Sequence, residues 1–239
     1  MTASEYAHEF ISAVRALRHF SFQEPAERTD GPPARILAGF VPFAHYLPAQ
    51  SFMRRLYGGM AHHLTRCGFR VIISEVDGST MPFRSSIRAL NCEADRKFGK
   101  GTPVIEIGHS LGGVLALGRL IFNEAGVARV ITVGTPNLGT PLDWLAKAVF
   151  QATKISPKLF DHYRDPILAH SEKVVVIRSK SDLVAPPKQC AIEGYNGTPS
   201  RAIHVDLDKV FPGSTIGHTE LAHDKRVFEL IEHHAKKST

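Results

Sequence analysis

The sequence predicts an α/β protein in which a mostly parallel sheet is covered by helices on both faces. Two observations support this prediction. Along most of the chain, short runs rich in β-branched residues alternate with amphipathic helical stretches, as in strands joined by crossover helices. In addition, the short run rich in β-branched residues at 104–107 leads directly into the letters GHSLG and then into an apolar helical stretch, which is the pattern of a strand, a sharp turn and a helix.

The first half of the chain supplies three strands of this sheet. An amphipathic helix at 3–20 and a proline-rich linker come first, so that residues 1–33 form an N-terminal helix and linker. The pattern then predicts, in order, a strand at 34–40, a helix at 52–64 that ends before Gly68, a strand at 69–76, a helix at 87–98 and a strand that opens after Pro103.

The second half continues the alternation after one interruption. It predicts a helix at 114–122, strands at 127–133, 173–178 and 201–207, and a closing helix at 220–233. Between the first and second of these strands the rhythm stops, and we expect residues 142–172 to form an inserted helical cap. This cap would be either a mobile lid or a helix packed permanently on the sheet. Because no repeat or second boundary is visible, residues 1–239 are predicted to form a single domain.

Composition excludes several classes of protein. Apolar residues make up 43% and charged residues 22%, as in ordinary globular proteins with a sizeable core. The net charge of +6 is carried by scattered basic residues, so we expect no nucleic-acid partner, while a weak attraction to membrane surfaces stays open. The N-terminal stretch lacks the pattern of a signal peptide, which predicts a cytoplasmic location. The oligomeric state is not encoded in any pattern that we can identify.

The cysteines and histidines predict neither a metal site nor a cofactor. Cys67, Cys92 and Cys190 are an odd number of cysteines without C-x-x-C spacing, so we expect free thiols in a reducing compartment. No H-x-x-x-H or H-x-H spacing occurs among the thirteen histidines.

Ser110 is the candidate nucleophile. It lies in the G-x-S-x-G motif at the predicted strand-to-helix turn, where Gly108 and Gly112 leave room for the crowded backbone. Such a nucleophile elbow presents the serine hydroxyl at the N-terminus of a helix, whose N–H groups stabilise negative charge. The alternative is a tight turn with an unrelated serine.

His218 and Asp182 are the candidate base and acid. In a parallel sheet the reacting groups gather at the carboxyl ends of the strands, and this type of elbow has the chain order serine, acid, histidine. His218 follows the last predicted strand, and Asp182 follows the preceding one. The alternatives are a surface role for His218 and a turn-capping role for Asp182; the competing residues are His204 and His223 for the base, and Asp77, Asp206 and Asp208 for the acid.

The oxyanion hole of such a site uses two backbone N–H groups. One belongs to the residue after the nucleophile, here Leu111, and the other to the loop after the first strand, which makes Phe40 the candidate.

These motifs resemble those of a known family. The segment from Gly108 to Gly113, preceded by the letters SEV at 74–76 and the loop S-S-x-R at 85–88, is similar to the bacterial triacylglycerol lipases and related lipase-like α/β hydrolases. The letters VGTPNLGT at 133–140 resemble their T-P-H-x-G-T segment. The resemblance covers residues 34–235 and implies the α/β-hydrolase fold. It also implies a Ser110, Asp182 and His218 triad with Phe40 and Leu111 as oxyanion donors.

The resemblance implies a serine hydrolase that cleaves carboxylic esters of small molecules or lipids. The chain has Ala38-Gly39 where the family has His-Gly, and it shows no signal peptide, disulfide or calcium site, so we expect an intracellular esterase rather than a secreted lipase. Two alternatives stay open. The same site could serve a thioesterase or an acyltransferase, or the fold could bind a lipid or a partner without catalysis.

Overall fold

The computed structural model describes residues 30–39, 49–76, 81–138, 159–195 and 197–237. Within these ranges, six strands form one sheet with the order β2-β1-β3-β4-β5-β6. Every neighbouring pair is parallel. The strands are β1 (Pro33–Leu37), β2 (Arg70–Ile73), β3 (Val104–His109), β4 (Val127–Val133), β5 (Val174–Arg178) and β6 (Ile203–Asp206). The predicted mostly parallel α/β architecture is therefore confirmed.

Seven α-helices connect and cover the strands in the described ranges. They are α1 (Ala49–Arg66), α2 (Phe83–Phe98), α3 (Leu111–Phe122), α4 (Leu159–Ala169), α5 (Pro187–Cys190), α6 (Leu207–Val210) and α7 (Lys225–Lys236). Three short 3-10 turns lie at Glu124–Gly126, Ser171–Lys173 and Glu220–Ala222. None of the described helices is both long and apolar enough to span a bilayer.

Two apolar clusters fill the space between the sheet and its helices. Alternate residues of a strand point to opposite faces, so Ile131 and Val133 belong to one cluster while Val130 belongs to the other. Helices α1 and α7 cover the first face, and α2, α3 and α4 cover the second. Burial of both faces explains why the strands are nearly continuous apolar runs.

A cluster of charged side chains is buried beneath the second face. The Arg35 guanidinium donates two hydrogen bonds to Glu106, at 3.0 and 2.9 Å, and one to Glu93 at 2.9 Å. Arg119 donates to the same Glu106 carboxylate. Two arginines and two glutamates compensate one another, and they join β1, α2, β3 and α3. The sequence pattern gave no sign of this cluster.

Several predicted boundaries differ from the structure. Strand β2 spans Arg70–Ile73 rather than 69–76, and helix α2 begins at Phe83, one turn before the predicted start. The closing helix begins at Lys225, because residues from Glu220 first form a separate 3-10 turn. The predicted N-terminal helix at 3–20 and most of the predicted cap, residues 142–158, lie outside the described residues.

Candidate active site

Ser110 lies at the carboxyl end of β3, directly before α3. Its backbone has φ 53° and ψ −124°, and it is the one residue other than glycine with a positive φ among those described. A residue with a Cβ atom is strained at a positive φ, so the surrounding structure must hold Ser110 in this conformation. Two backbone bonds contribute: the Ser110 N–H donates to the Val133 carbonyl at 3.0 Å, and its carbonyl accepts from the Gly113 N–H at 3.0 Å.

The glycines on either side of Ser110 occupy positions without space for a side chain. A Cβ atom at Gly108 would lie 2.4 Å from the backbone nitrogen of Gly113. A Cβ atom at Gly112 would lie 2.1 Å from the carbonyl oxygen of Leu37, at the end of β1. The first turn of α3 thus sits directly against β3 and β1, which brings the helix N-terminus to Ser110.

Asp182 and His218 form a buried pair. The Asp182 side chain is fully buried, and its Oδ2 lies 2.8 Å from Nδ1 of His218. The other carboxylate oxygen accepts the backbone N–H groups of Val184 at 2.9 Å and Ala185 at 2.7 Å. Both carboxylate oxygens are therefore engaged, and since a carboxylate only accepts, the proton of this contact belongs to Nδ1. The lone pair of the neutral imidazole is then on Nε2.

This pair lies next to the serine turn. The His218 ring stacks at an angle on the ring of His109, with centroids 4.8 Å apart, and His109 directly precedes Ser110. Gly134, which follows β4, leaves space for the pair, since a Cβ atom there would lie 2.8 Å from Oδ2 of Asp182. The structure thus brings together three residues that lie far apart in the sequence.

A chain of buried hydrogen bonds links the loops around Ser110. The Gly39 N–H donates to the Tyr57 hydroxyl at 3.1 Å, and that hydroxyl lies 2.8 Å from Nδ1 of His109. Nε2 of His109 lies 2.9 Å from the carbonyl oxygen of His218. Because a carbonyl only accepts, the proton of a neutral His109 is on Nε2, so Nδ1 accepts from Tyr57. The loop after β1, the serine turn and the backbone of His218 are thereby connected.

Burial keeps the Tyr57 and His109 side chains neutral. Desolvation, together with a smaller effect of the neighbouring His218 ring, lowers the pKa of His109 to about 3. Desolvation also raises the pKa of the Tyr57 hydroxyl well above its usual value. Each group keeps the proton arrangement that the hydrogen bonds require throughout the neutral pH range.

Only one of the two predicted oxyanion donors, Leu111, lies within the described residues. Leu111 is the first residue of α3, so its backbone N–H has no carbonyl partner within the helix. It lies directly after Ser110, at the positive end of the helix dipole. Phe40 lies outside the described residues. Its neighbour Gly39 passes close to the serine, since a Cβ atom at Gly39 would lie 2.9 Å from Cβ of Ser110.

The competing candidates have other partners. His204 lies within β6, and its Nε2 accepts the Ile192 N–H at 3.1 Å. Asp206 ends the same strand and bonds to Arg178 and Lys209, with the lysine at 2.6 Å. Asp208 lies on α6, and Asp77 is outside the described residues. His223 precedes α7, where desolvation by burial lowers its pKa.

Tyr57 and His109 are the site residues that the sequence did not reveal. Tyr57 is on a predicted amphipathic helix, where an aromatic side chain is ordinarily part of the core. His109 occupies the variable position of G-x-S-x-G. A polar side chain at the end of a fully buried strand was the available signal, since such a group needs a hydrogen-bond partner.

Comparison with known proteins gives likeness in structure alone. No family model matches the sequence, and no curated protein matches it. Among solved structures, an α/β hydrolase enzyme from the metagenome of lagoon sediments at Mar Chica, Morocco, is 18% identical, with 91% of this chain and 98% of that chain covered and a TM-score of 0.56.

Two further solved structures are similar to this chain over most of its length. A thermophilic esterase from Thermogutta terrifontis is 14% identical over 88% of this chain and 92% of its own, with a TM-score of 0.61. The Bacillus licheniformis lipase BlEst2 is 16% identical over 92% of this chain and 96% of its own, with a TM-score of 0.58. These likenesses extend over nearly the whole chain, and with the six-stranded parallel sheet they show that it has the α/β-hydrolase fold.

Proposed function

We propose that this protein is a serine hydrolase that cleaves carboxylic esters through an acyl-serine intermediate. One observation carries the proposal: a strained serine at a helix N-terminus directly follows His109, whose ring packs against a histidine with its Nδ1 bonded to a fully buried carboxylate. A protein that only bound a lipid or a partner would have no need of a strained serine beside such a pair, since the strained backbone reduces stability.

In the first half of the reaction, Nε2 of His218 accepts the proton of the Ser110 hydroxyl as its oxygen attacks the ester carbonyl. Asp182 holds the ring in the required tautomer and stabilises the imidazolium that forms. The Leu111 N–H, together with a donor from the loop after β1, stabilises the oxyanion of the tetrahedral intermediate. His218 then gives its proton to the departing alcohol oxygen, and an acyl-serine remains.

In the second half, a water molecule attacks the acyl-serine carbonyl while His218 accepts its proton. Collapse of the second tetrahedral intermediate releases the carboxylic acid, and the proton on His218 returns to the Ser110 oxygen. If an alcohol or a thiol-bearing carrier took the place of water, the same residues would perform acyl transfer, so the identity of the acceptor must be tested directly.

Two exposed leucines support an apolar acyl group on the substrate. Leu138 follows β4 and is 40% exposed, and Leu183 follows Asp182 and is 44% exposed. Both lie beyond the carboxyl ends of neighbouring strands, at the edge of the sheet that carries Ser110. Apolar side chains at this edge would favour esters of apolar acids over acetate esters.

The decisive experiment combines active-site labelling with turnover of simple esters. We expect a fluorophosphonate probe to label Ser110 and Ser110→Ala to lower kcat about a million-fold while leaving the circular dichroism spectrum unchanged. The control is Ser85→Ala, on the exposed side of α2, which should label and turn over like the wild type. Wild-type ester hydrolysis by Ser110→Ala would refute the proposal.

A chain-length series and an acceptor series then separate the related reactions. An esterase hydrolyses oxygen esters and gives the free acid even when an alcohol is added. An acyltransferase gives the new ester in preference to the acid, and a thioesterase prefers the corresponding thioesters. If the folded protein showed neither labelling nor any of the three activities, the remaining alternative would be a protein that binds a lipid or a partner without catalysis.

A further inference from the structure

Three potential metal ligands meet at the contact between helices α1 and α7. Nε2 of His63 lies 2.9 Å from Oε2 of Glu232 and 3.8 Å from Sγ of Cys67. One ligand atom from each of the three residues lies within 4.8 Å of the other two. Each side chain is partly buried, and none of them belongs to the candidate active site.

The site is at the opposite end of the sheet from Ser110. Cys67 follows the last residue of α1 and comes just before β2 begins, so it lies at the amino edge of the parallel strands. Glu232 is in the second half of α7, a helix that starts near the carboxyl edge and runs back along the sheet. Ser110 comes directly after β3, at the carboxyl edge.

The spacing of the three atoms is close to that of a tetrahedral zinc site. Zinc bond lengths to sulfur, nitrogen and oxygen give ligand-to-ligand distances of about 3.3 to 3.6 Å in a tetrahedron. The distance between Sγ of Cys67 and Nε2 of His63 is already close to this value, at 3.8 Å. The Glu232 oxygen is too close to His63 at 2.9 Å, because a proton rather than a metal ion now lies between them. Side-chain movements of about 1 Å or less suffice to admit the ion.

We propose that His63, Cys67 and Glu232 bind a divalent zinc ion that joins helices α1 and α7, with water as the fourth ligand. A thiolate, an imidazole and a carboxylate together suit zinc, whereas magnesium and calcium prefer oxygen ligands alone. The thiolate and the carboxylate supply two negative charges, which compensate the charge of the ion. The site is independent of the ester hydrolysis proposed above, because it holds two helices together and touches no reacting group.

The surrounding residues are compatible with metal binding. Lys236 binds the other Glu232 oxygen at 2.6 Å, so Oε2 remains directed at His63. The ring of Phe228 packs at an angle against His63, with centroids 5.9 Å apart, and restricts its orientation. The partly exposed side chains provide a path for the ion from solvent.

Metal binding releases one proton. The Cys67 thiol loses its proton to solvent and the sulfur binds zinc, while the neutral His63 ring transfers its proton from Nε2 to Nδ1 and binds through Nε2. Because this proton is released, zinc binding strengthens as the pH rises.

The first experiment uses cobalt as a spectroscopic substitute for zinc in the full chain. Cobalt bound by Cys67 gives a thiolate-to-metal charge-transfer band and the strong visible bands of a tetrahedral ion. We expect one equivalent of cobalt to give these bands and one equivalent of zinc to abolish them. Cys67→Ser should remove the charge-transfer band, while Cys92→Ser, which changes an exposed thiol on α2, should keep it.

The second experiment measures thermal stability with zinc or with a chelator. At a free zinc concentration of about one hundred times the dissociation constant, we expect Tm to rise by about 5 to 10 °C. Cys67→Ser and His63→Gln should lose this rise, whereas Cys92→Ser and His233→Gln should retain it. Ester hydrolysis well below Tm should not depend on zinc.

Two results would overturn the proposal. One is a wild-type protein without any metal-dependent charge-transfer band at neutral pH. The other is a band or a Tm shift of equal size in Cys67→Ser, which would assign metal binding to surface histidines. Loss of ester hydrolysis in Ser110→Ala affects neither measurement, so the two proposals fail independently.

Discussion

Replacing Tyr57 with phenylalanine tests whether the buried hydrogen bonds behind Ser110 position the active site. The Tyr57 hydroxyl accepts from the Gly39 N–H and donates to Nδ1 of His109. Phenylalanine keeps the ring and removes only the oxygen. Two buried polar atoms then lose their shared partner, one in the loop after β1 and one in the residue before Ser110.

The expected effects differ in size for stability and for catalysis. A buried polar atom left without a partner costs about 1 to 3 kcal/mol, so the two atoms together lower the free energy of unfolding by about 2 to 6 kcal/mol. A displacement of catalytic groups of about 1 Å costs up to a hundredfold in rate, and we expect kcat to fall about tenfold to a hundredfold. Because Tyr57 is 1% exposed and lies behind the serine turn, KM should change less than about threefold.

The assay is steady-state ester hydrolysis at a temperature where both proteins are fully folded, with the rate of fluorophosphonate labelling as a second measure. Tyr163→Phe is the matched control, because the Tyr163 ring packs against Phe122 on the other face of the sheet. A Tyr57→Phe protein that is destabilised but keeps kcat within about twofold of the wild type would refute the positioning role. The tyrosine would then be a core residue only.

Three further predictions concern the acid, the buried charges and the pH dependence of stability. Asp182→Asn should lower kcat about ten-thousandfold, since the imidazole loses the group that sets its tautomer, while Asp206→Asn should be far milder; the reverse order in ester hydrolysis would mean that the acid is misassigned. Glu106→Gln should lower the free energy of unfolding in urea by about 3 to 5 kcal/mol, because it removes the counter-charge of the buried Arg119 and leaves Arg35 paired with Glu93 alone, and an unchanged midpoint would contradict this. His109 has a folded pKa of about 3 and an unfolded pKa near the ordinary value, so only the unfolded chain binds this proton between them. Its contribution to the free energy of unfolding is therefore lost as the pH falls from about 6.5 to 3, at about 1.4 kcal/mol per pH unit. In His109→Gln the unfolded chain should bind one proton fewer in this range, so the free energy of unfolding should depend less steeply on pH.

The parts of the molecule that follow from local patterns could be predicted from the sequence. Strand and helix alternation gave the parallel sheet, because apolar periodicity reflects burial on two faces. The positions of Asp182 and His218 followed from topology, since loops after neighbouring parallel strands meet at one edge. The structure brings these two side chains within 2.8 Å.

Contacts between distant segments could not be predicted in this way. Tyr57 and His109 are 52 residues apart, and nothing in either segment indicates the other. Arg35 interrupts an apolar strand and Arg119 an apolar helix, and each is explained only by Glu106 lying between them in space. Cys67 lacks the spacing of a sequence-local zinc motif, because the carboxylate beside it comes from α7.

The loop that carries His218 shows how such distant contacts replace regular structure. Strand β6 ends at Asp206, so the sheet does not hold this loop. Two hydrogen bonds hold the loop instead, one just before His218 and one at His218 itself. The Ser179 hydroxyl donates to the Ile216 carbonyl at 2.6 Å, and Nε2 of His109 donates to the His218 carbonyl at 2.9 Å. Ser179 follows β5, as Asp182 does, and His109 ends β3. The backbone of His218 is therefore fixed by the same two segments that carry Asp182 and Ser110, so a displacement of either segment moves all three groups together.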